Sequence, residues 1–157
     1  MAIKKEVIRL PGAAAPSGGA APLSPAIRAG DFVFVSGQPP RDPASGKMVS
    51  GDIEAQTRQV LENVKALLEA AGSSMDKVVN ATVYCSNSAY FNRVNAVYRT
   101  YFPADAPPTR TFVTVGSWPG EFDIEIACIA IGWNSLLRRH ARDRPEHDAW
   151  RDGVPSI

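Results

Sequence analysis

Two charged residues lie inside runs whose composition otherwise belongs to packed strands. In "PPTRTFVTVG" (107–116) the residues from Thr109 to Val115 are mostly β-branched or aromatic, bracketed by Pro-Pro and Gly. Arg110 interrupts them. Alternation with period 2 puts Arg110, Phe112 and Thr114 on one face and Thr111, Val113 and Val115 on the other. In "DIEIACIAI" (123–131) Asp123, Glu125, Ala127, Ile129 and Ile131 share one face and Ile124, Ile126, Cys128 and Ala130 the other. Glu125 therefore sits within a nearly continuous apolar strand, where a carboxylate is costly unless it is paired or used. The chemistry available to this pair is specific. A guanidinium offers a planar fork of N–H donors suited to gripping a small carboxylate, and a glutamate can orient water and move protons. With no nucleophilic triad or metal cluster beside them, they suit a substrate that is already electrophilic, such as an imine with a carboxylate on the adjacent carbon.

If the two runs form a hairpin across "GSWPGEF", pairing about Pro119 sets Glu125 opposite Val113, three positions from Arg110. That separation is on the order of 10 Å at about 3.4 Å per residue, which leaves room for a small ligand between the charges. The alternative is a buried ion pair that only fixes register, and such pairs are often neutral or costly for stability. The pattern of the strands leaves both open.

Other reactive side chains point elsewhere. Cys85 and Cys128 each lie in an apolar run without CxxC spacing or a neighbouring His, and are expected to be buried, inert thiols rather than a nucleophile, a zinc site or a disulfide. His140 and His147 stand seven residues apart across Pro145, a poor arrangement for metal. "LRRHAR" (137–142) is a local basic patch of the kind that usually forms a solvated helix face.

The elements that must position Arg110 and Glu125 are marked by changes of period. "KEVIRL" is a short strand candidate, followed by a Gly/Pro/Ala-rich loop to about Ala26, and "DFVFVSG" (31–37) is a compact strand. A turn-rich stretch, "QPPRDPASGKM", contains a Ser-Gly pair able to join two strands. From Asp52 to Ala71, Ile53, Val60, Val64, Leu67 and Leu68 recur at helical spacing, and Gly72 is a natural stop. "KVVNATVYCS" (77–86) returns to strand composition, and "SAYFNRVNAVYRTYF" (88–102) reads as a second helix before the last two strands. The order is strand, strand, helix, strand, helix, strand, strand. This is an α+β pattern: a mostly antiparallel or mixed sheet with helices covering one face, so that the other face needs a partner.

The 157 residues, 45% hydrophobic and 21% charged with a formal net charge of +1, suit one globular domain and give no bulk electrostatic reason to expect nucleic acid. No window is long and apolar enough for a membrane span, and the charged N-terminus lacks the apolar core of a signal peptide, so a cytoplasmic protein is expected. The domain is expected over 1–133, with 134–157 a polar extension lying on the surface or crossing to another subunit.

The runs "FVFVSGQ", "QTRQVLENVKALLEAAG", "VVNATVYC", "FNRVNAVYRTYFP", "PPTRTFVTV" and "DIEIACIAI" together resemble the Rid (YjgF) family of enamine/imine deaminases, also labelled L-PSP endoribonucleases, over about residues 20–132. The resemblance implies a chorismate-mutase-like α+β subunit with two helices on one face of a mixed sheet, assembled as a homotrimeric barrel with ligand clefts between subunits. It implies Arg110 as the carboxylate anchor and Glu125 as the group associated with the reacting water. Main-chain groups around Ser36 and Gly37 and the Phe112 amide would line the cleft, and Asn95 matches the family's helix asparagine. Leu23 stands where many deaminases carry a tyrosine, and Phe112 puts a ring where smaller residues are common.

The expected function is cofactor-free hydrolysis of a small carboxylate-bearing imine or enamine to a 2-oxo acid and ammonia, in a homotrimer without membrane association. Two alternatives accompany it: a pathway-specific deaminase of a larger, aminomuconate-like acid, or a non-catalytic trimer that binds a small metabolite. Ribonuclease action is disfavoured, because the only basic cluster sits in the extension.

Overall fold

Strand alternation and helical stripe meet along one apolar layer. The structure, a computed structural model, describes residues 4–12 and 21–132. Six strands, β1 (Lys5–Ile8), β2 (Ala26–Ala29), β3 (Phe32–Gln38), β4 (Val78–Cys85), β5 (Thr109–Thr114) and β6 (Ile124–Ile131), form one sheet in the order β1-β2-β3-β6-β4-β5. Every pairing is antiparallel except β4 with β5. Helices α1 (Ile53–Ala70) and α2 (Phe91–Tyr98) pack on one another, and α1 lies against β3 and β6.

The helix over 52–71 forms for the reasons its sequence suggests. Asp52 caps it by accepting from the Ala55 amide at 2.9 Å, and Gly72, at φ 72°, takes the left-handed conformation that ends it. Its stripe of Val60, Leu61, Val64, Leu67 and Leu68 is buried against Val33 and Val35 of β3, Val83 of β4, and Ile124 and Ile126 of β6. At about 1.5–3 kcal/mol for each large aliphatic side chain buried, this layer is the main source of stability.

Three expectations about topology are corrected. A strand absent from the sequence reading, β2, turns into β3 as a hairpin, with Ala29 opposite Phe32. It is four residues long and follows directly on the Pro-rich loop, too short for alternation to register. The Ser-Gly stretch yields only an isolated bridge between Arg41 and Met48. More consequentially, β5 and β6 are not a hairpin. The segment β4-α2-β5 is a crossover unit that leaves β5 parallel to β4 at the sheet's edge, and β6 pairs on the opposite side of β4.

The second face of the sheet carries no helix among the described residues. Phe32, Phe34 and Ile131 lie there, 47%, 44% and 46% exposed, with Val7 and Val113 also exposed. No helix of the described residues is long and apolar enough to cross a membrane. The extension from Asn134 onward, with His140, His147 and the basic patch, lies outside the described residues.

Candidate active site

Arg110 lies on the helix-covered face. Its register partner on β4 is the fully buried Ala81, and α2 passes above it. Nη1 donates to Asn95 Oδ1 at 2.6 Å, while the guanidinium carbon stands 4.8 Å from the centre of the Tyr98 ring and 5.6 Å from that of Phe91. Phe91, Asn95 and Tyr98 fall at i, i+4 and i+7, which aligns them on one stripe of α2. Phe112, two residues along β5, meets Phe91 edge-on with ring centres 5.2 Å apart. No described residue accepts from the other N–H groups of Arg110. The guanidinium borders an open cleft of about 530 Å³, shared with Asn95, Tyr98, Phe102, Pro107 and Pro108.

Glu125 lies on the other face. It pairs in register with Tyr84 of β4, which in turn pairs with Val113 of β5, so Glu125 and Val113 are two strands apart on the bare side. Arg110, by alternation, points away from them. The ligand space expected between the two charges does not exist within one chain, and neither does the alternative ion pair. The cause is the crossover: β4 occupies the place that a hairpin would have given to β6.

Gly37 makes room for the glutamate. A Cβ built on Gly37 would lie 1.6 Å from Glu125 Oε1 and 2.9 Å from its Cγ, so the carboxyl group rests directly on glycine backbone. Burial pushes the Glu125 carboxyl above its ordinary value of 4.5, and no described residue donates a hydrogen bond to it. Ser36 serves locally: its Oγ donates to the Ser24 carbonyl at 2.7 Å and its amide to Pro25 at 3.0 Å, tying the N-terminal loop to the end of β3. That loop carries Leu23, 61% exposed, to the rim of a cavity of about 320 Å³ bounded also by Pro25, Gly37, Gln38, Asn63 and Leu67.

Thus Gly37 touches Glu125 and also borders the cavity that Leu23 rims, with Ser36 beside it, while Arg110, Asn95 and Phe112 lie at another place. Residues the sequence reading missed are Phe91 and Tyr98; their signal was the shared helical stripe with Asn95. Asp123 is a further correction. It precedes β6, where alternation no longer applies, and turns toward α1 instead of sharing the face of Glu125. Its carboxylate accepts from Ser86 Oγ at 2.6 Å and Gln56 Nε2 at 3.0 Å, and its amide donates to Gln56 Oε1 at 2.8 Å. This network pins the strand two residues before Glu125. Cys85 and Cys128 are buried as expected; burial raises both thiols, that of Cys128 to about 12.

The sheet order, the two helices on one face and the arginine under α2 can now be set beside known proteins. A family profile described as endoribonuclease L-PSP matches residues 13–132. The chain belongs to this family. A RutC family protein of Pyrococcus horikoshii is 48% identical over 126 residues, covering 80% of this chain and 97% of that protein. The Arabidopsis thaliana protein named reactive intermediate deaminase A, chloroplastic, is 41% identical over 128 residues, covering 82% of this chain and 66% of that one. The solved structure of YyfA, a Rid family protein of Yersinia pestis, matches with a TM-score of 0.74 at 39% identity, covering 82% and 99% of the two chains. The family resemblance and α+β class expected from the L-PSP chain's sequence are therefore established, and a Rid-like, deaminase-type function is supported.

Proposed function

We propose that this L-PSP family chain is a hydrolytic deaminase of reactive enamine/imine acids, assembled as a homotrimer whose sites are composed from two chains. One observation carries the reading. A guanidinium with N–H donors to spare and a desolvated carboxylate without a donor, among the described residues, lie on opposite faces of one sheet, so they can serve one ligand only if different chains supply them. The exposed Phe32, Phe34 and Ile131 support assembly through the bare face, because a patch of that kind is usually covered. The name of the Arabidopsis relative supports the reaction class.

In this reading Arg110 holds the substrate carboxylate by paired N–H···O bonds, with Asn95 orienting it. Glu125 of the neighbouring chain takes a proton from water as the water oxygen bonds to the imine carbon, and the imine nitrogen gains a proton. Collapse of the resulting carbinolamine breaks the C–N bond, giving a 2-oxo acid and ammonia; an enamine first gains a proton at carbon. The raised pKa of Glu125 suits it to accept and return protons nearer neutral pH than an exposed carboxylate could. Main chain at Gly37 and on the edge strand β5 is available to line the site, since β5 pairs on one side only among the described residues. Cytoplasmic location accompanies the proposal.

A second reading is favoured by the cavity beside Gly37. Its apolar rim of Leu23, Pro25 and Leu67 suits an acid with a larger apolar side chain. The test of both is release of ammonia from imino acids of graded size, generated in place by an amino-acid oxidase. Acceleration that is lost in Arg110→Ala is expected, and the size ranking distinguishes the two deaminases. A chain that binds 2-oxo acids but accelerates no imine would instead be a metabolite-binding trimer.

A further inference from the structure

The arginine anchor is itself held by machinery that neither its charge nor the strand supplies. Arg110 is long, and one hydrogen bond to Asn95 fixes only one end of its guanidinium. Two rings flank the rest: Tyr98 at 4.8 Å and Phe91 at 5.6 Å, both within the roughly 6 Å at which a cation is attracted to an aromatic face. Each ring is braced in turn. Tyr98 is 6% exposed and stacks on Phe102 with centres 4.4 Å apart, and Phe91 is held edge-on by Phe112. The Tyr98 hydroxyl has no hydrogen-bond partner among the described residues, so hydrogen bonding there does not explain why a phenol is placed at this position.

Phe91 gives the decisive hint. It is 42% exposed at the first residue of α2, so it contributes little to the core, and its described ring contacts are Arg110 and Phe112. We propose that Phe91 and Tyr98 are positioning residues for substrate binding: an aromatic clamp that presents the Arg110 guanidinium in one orientation with its free N–H donors toward the ligand. The clamp rests on the reading of Arg110 as carboxylate anchor. Its effect falls on binding, because a guanidinium already fixed loses less freedom when the carboxylate arrives.

The test measures KM and kcat for imino-acid hydrolysis, and separately the Kd for pyruvate by calorimetry, in Phe91→Leu, Phe91→Tyr, Arg110→Ala and the double variant Phe91→Leu/Arg110→Ala. Phe91→Leu should raise KM and Kd by about threefold to thirtyfold with kcat nearly unchanged, the range expected for loss of a cation–π contact. Phe91→Tyr, which keeps the ring, should restore both. In the Arg110→Ala background Phe91→Leu should have no further effect on Kd. Equal losses in both backgrounds, or a fall in kcat with KM constant, would overturn the clamp. If no imine is hydrolysed but pyruvate binding depends jointly on Arg110 and Phe91, the deaminase reading falls and the clamp stands. If pyruvate binding ignores Arg110, both fall.

Discussion

The two faces of the sheet are built from the same strands and finished differently. On one, Val33, Val83, Ile124 and Ala130 are fully buried beneath helices the chain itself provides. On the other, Phe32, Phe34 and Ile131 stay exposed beside Glu125. The first face holds the arginine among aromatic rings; the second holds a carboxylate on bare glycine backbone. The difference teaches that, among the described residues, the chain covers its sheet on one side only and divides its two strand charges, Arg110 and Glu125, between the covered and the bare surface.

Removing the group on the covered face should have the largest effect. Arg110→Ala is expected to lower kcat/KM on imino acids by about 10²–10³-fold, the loss of a charge-assisted bidentate contact, while sedimentation still reports the assembled form. Glu125→Gln, on the bare face, is expected to cost on the order of 10²-fold in kcat with little change in Kd for a 2-oxo acid, which single-turnover kinetics and calorimetry would separate.

Phe34→Asp puts a charge on the bare face without entering the core. It should dissociate the assembly, seen as a fall in mass by light scattering, with far-ultraviolet dichroism retained and activity restored only at high protein concentration. Retained mass with full activity would show that the exposed face is not the contact.

The smallest effect concerns pH. Because burial raises the Glu125 pKa, the activity that needs its ionised form should decline as pH falls, beginning above the ordinary carboxylate value of 4.5, and Glu125→Gln should remove that limb from the residual rate. The same shift favours the protonated fold: its stabilising contribution is present below the unfolded value and is lost as pH rises through the folded one. Melting temperature should therefore gain slightly on going from Glu125 to Gln at neutral pH.

Much of this division was legible in the sequence. Period 2 in "DIEIACIAI" assigned buried and half-exposed residues of β6 correctly from Ile124 onward, and the helical stripe of α1 located the covered face. What failed was strand adjacency. The nine-residue connection 115–123 looks like that of a hairpin, and nothing local in it says that β4 lies between its ends. Arg110 and Glu125 could be singled out as candidates by charge in apolar runs, but their separation follows from tertiary topology. The rings of Phe91 and Tyr98 read only as part of a second helix, because nothing local to 88–102 shows the arginine beneath them.

The central claim, that one site draws Arg110 and Glu125 from different chains, is tested most directly by mixing two inactive variants. Arg110→Ala and Glu125→Gln chains, denatured together in equal amounts and refolded, should regain about a quarter of the wild-type sites, since in a ring of randomly mixed chains about one contact in four joins an intact arginine to an intact glutamate. Separately refolded variants should stay inactive. No recovery in a mixture that demonstrably forms mixed assemblies would contradict the account and place the chemistry within a single chain.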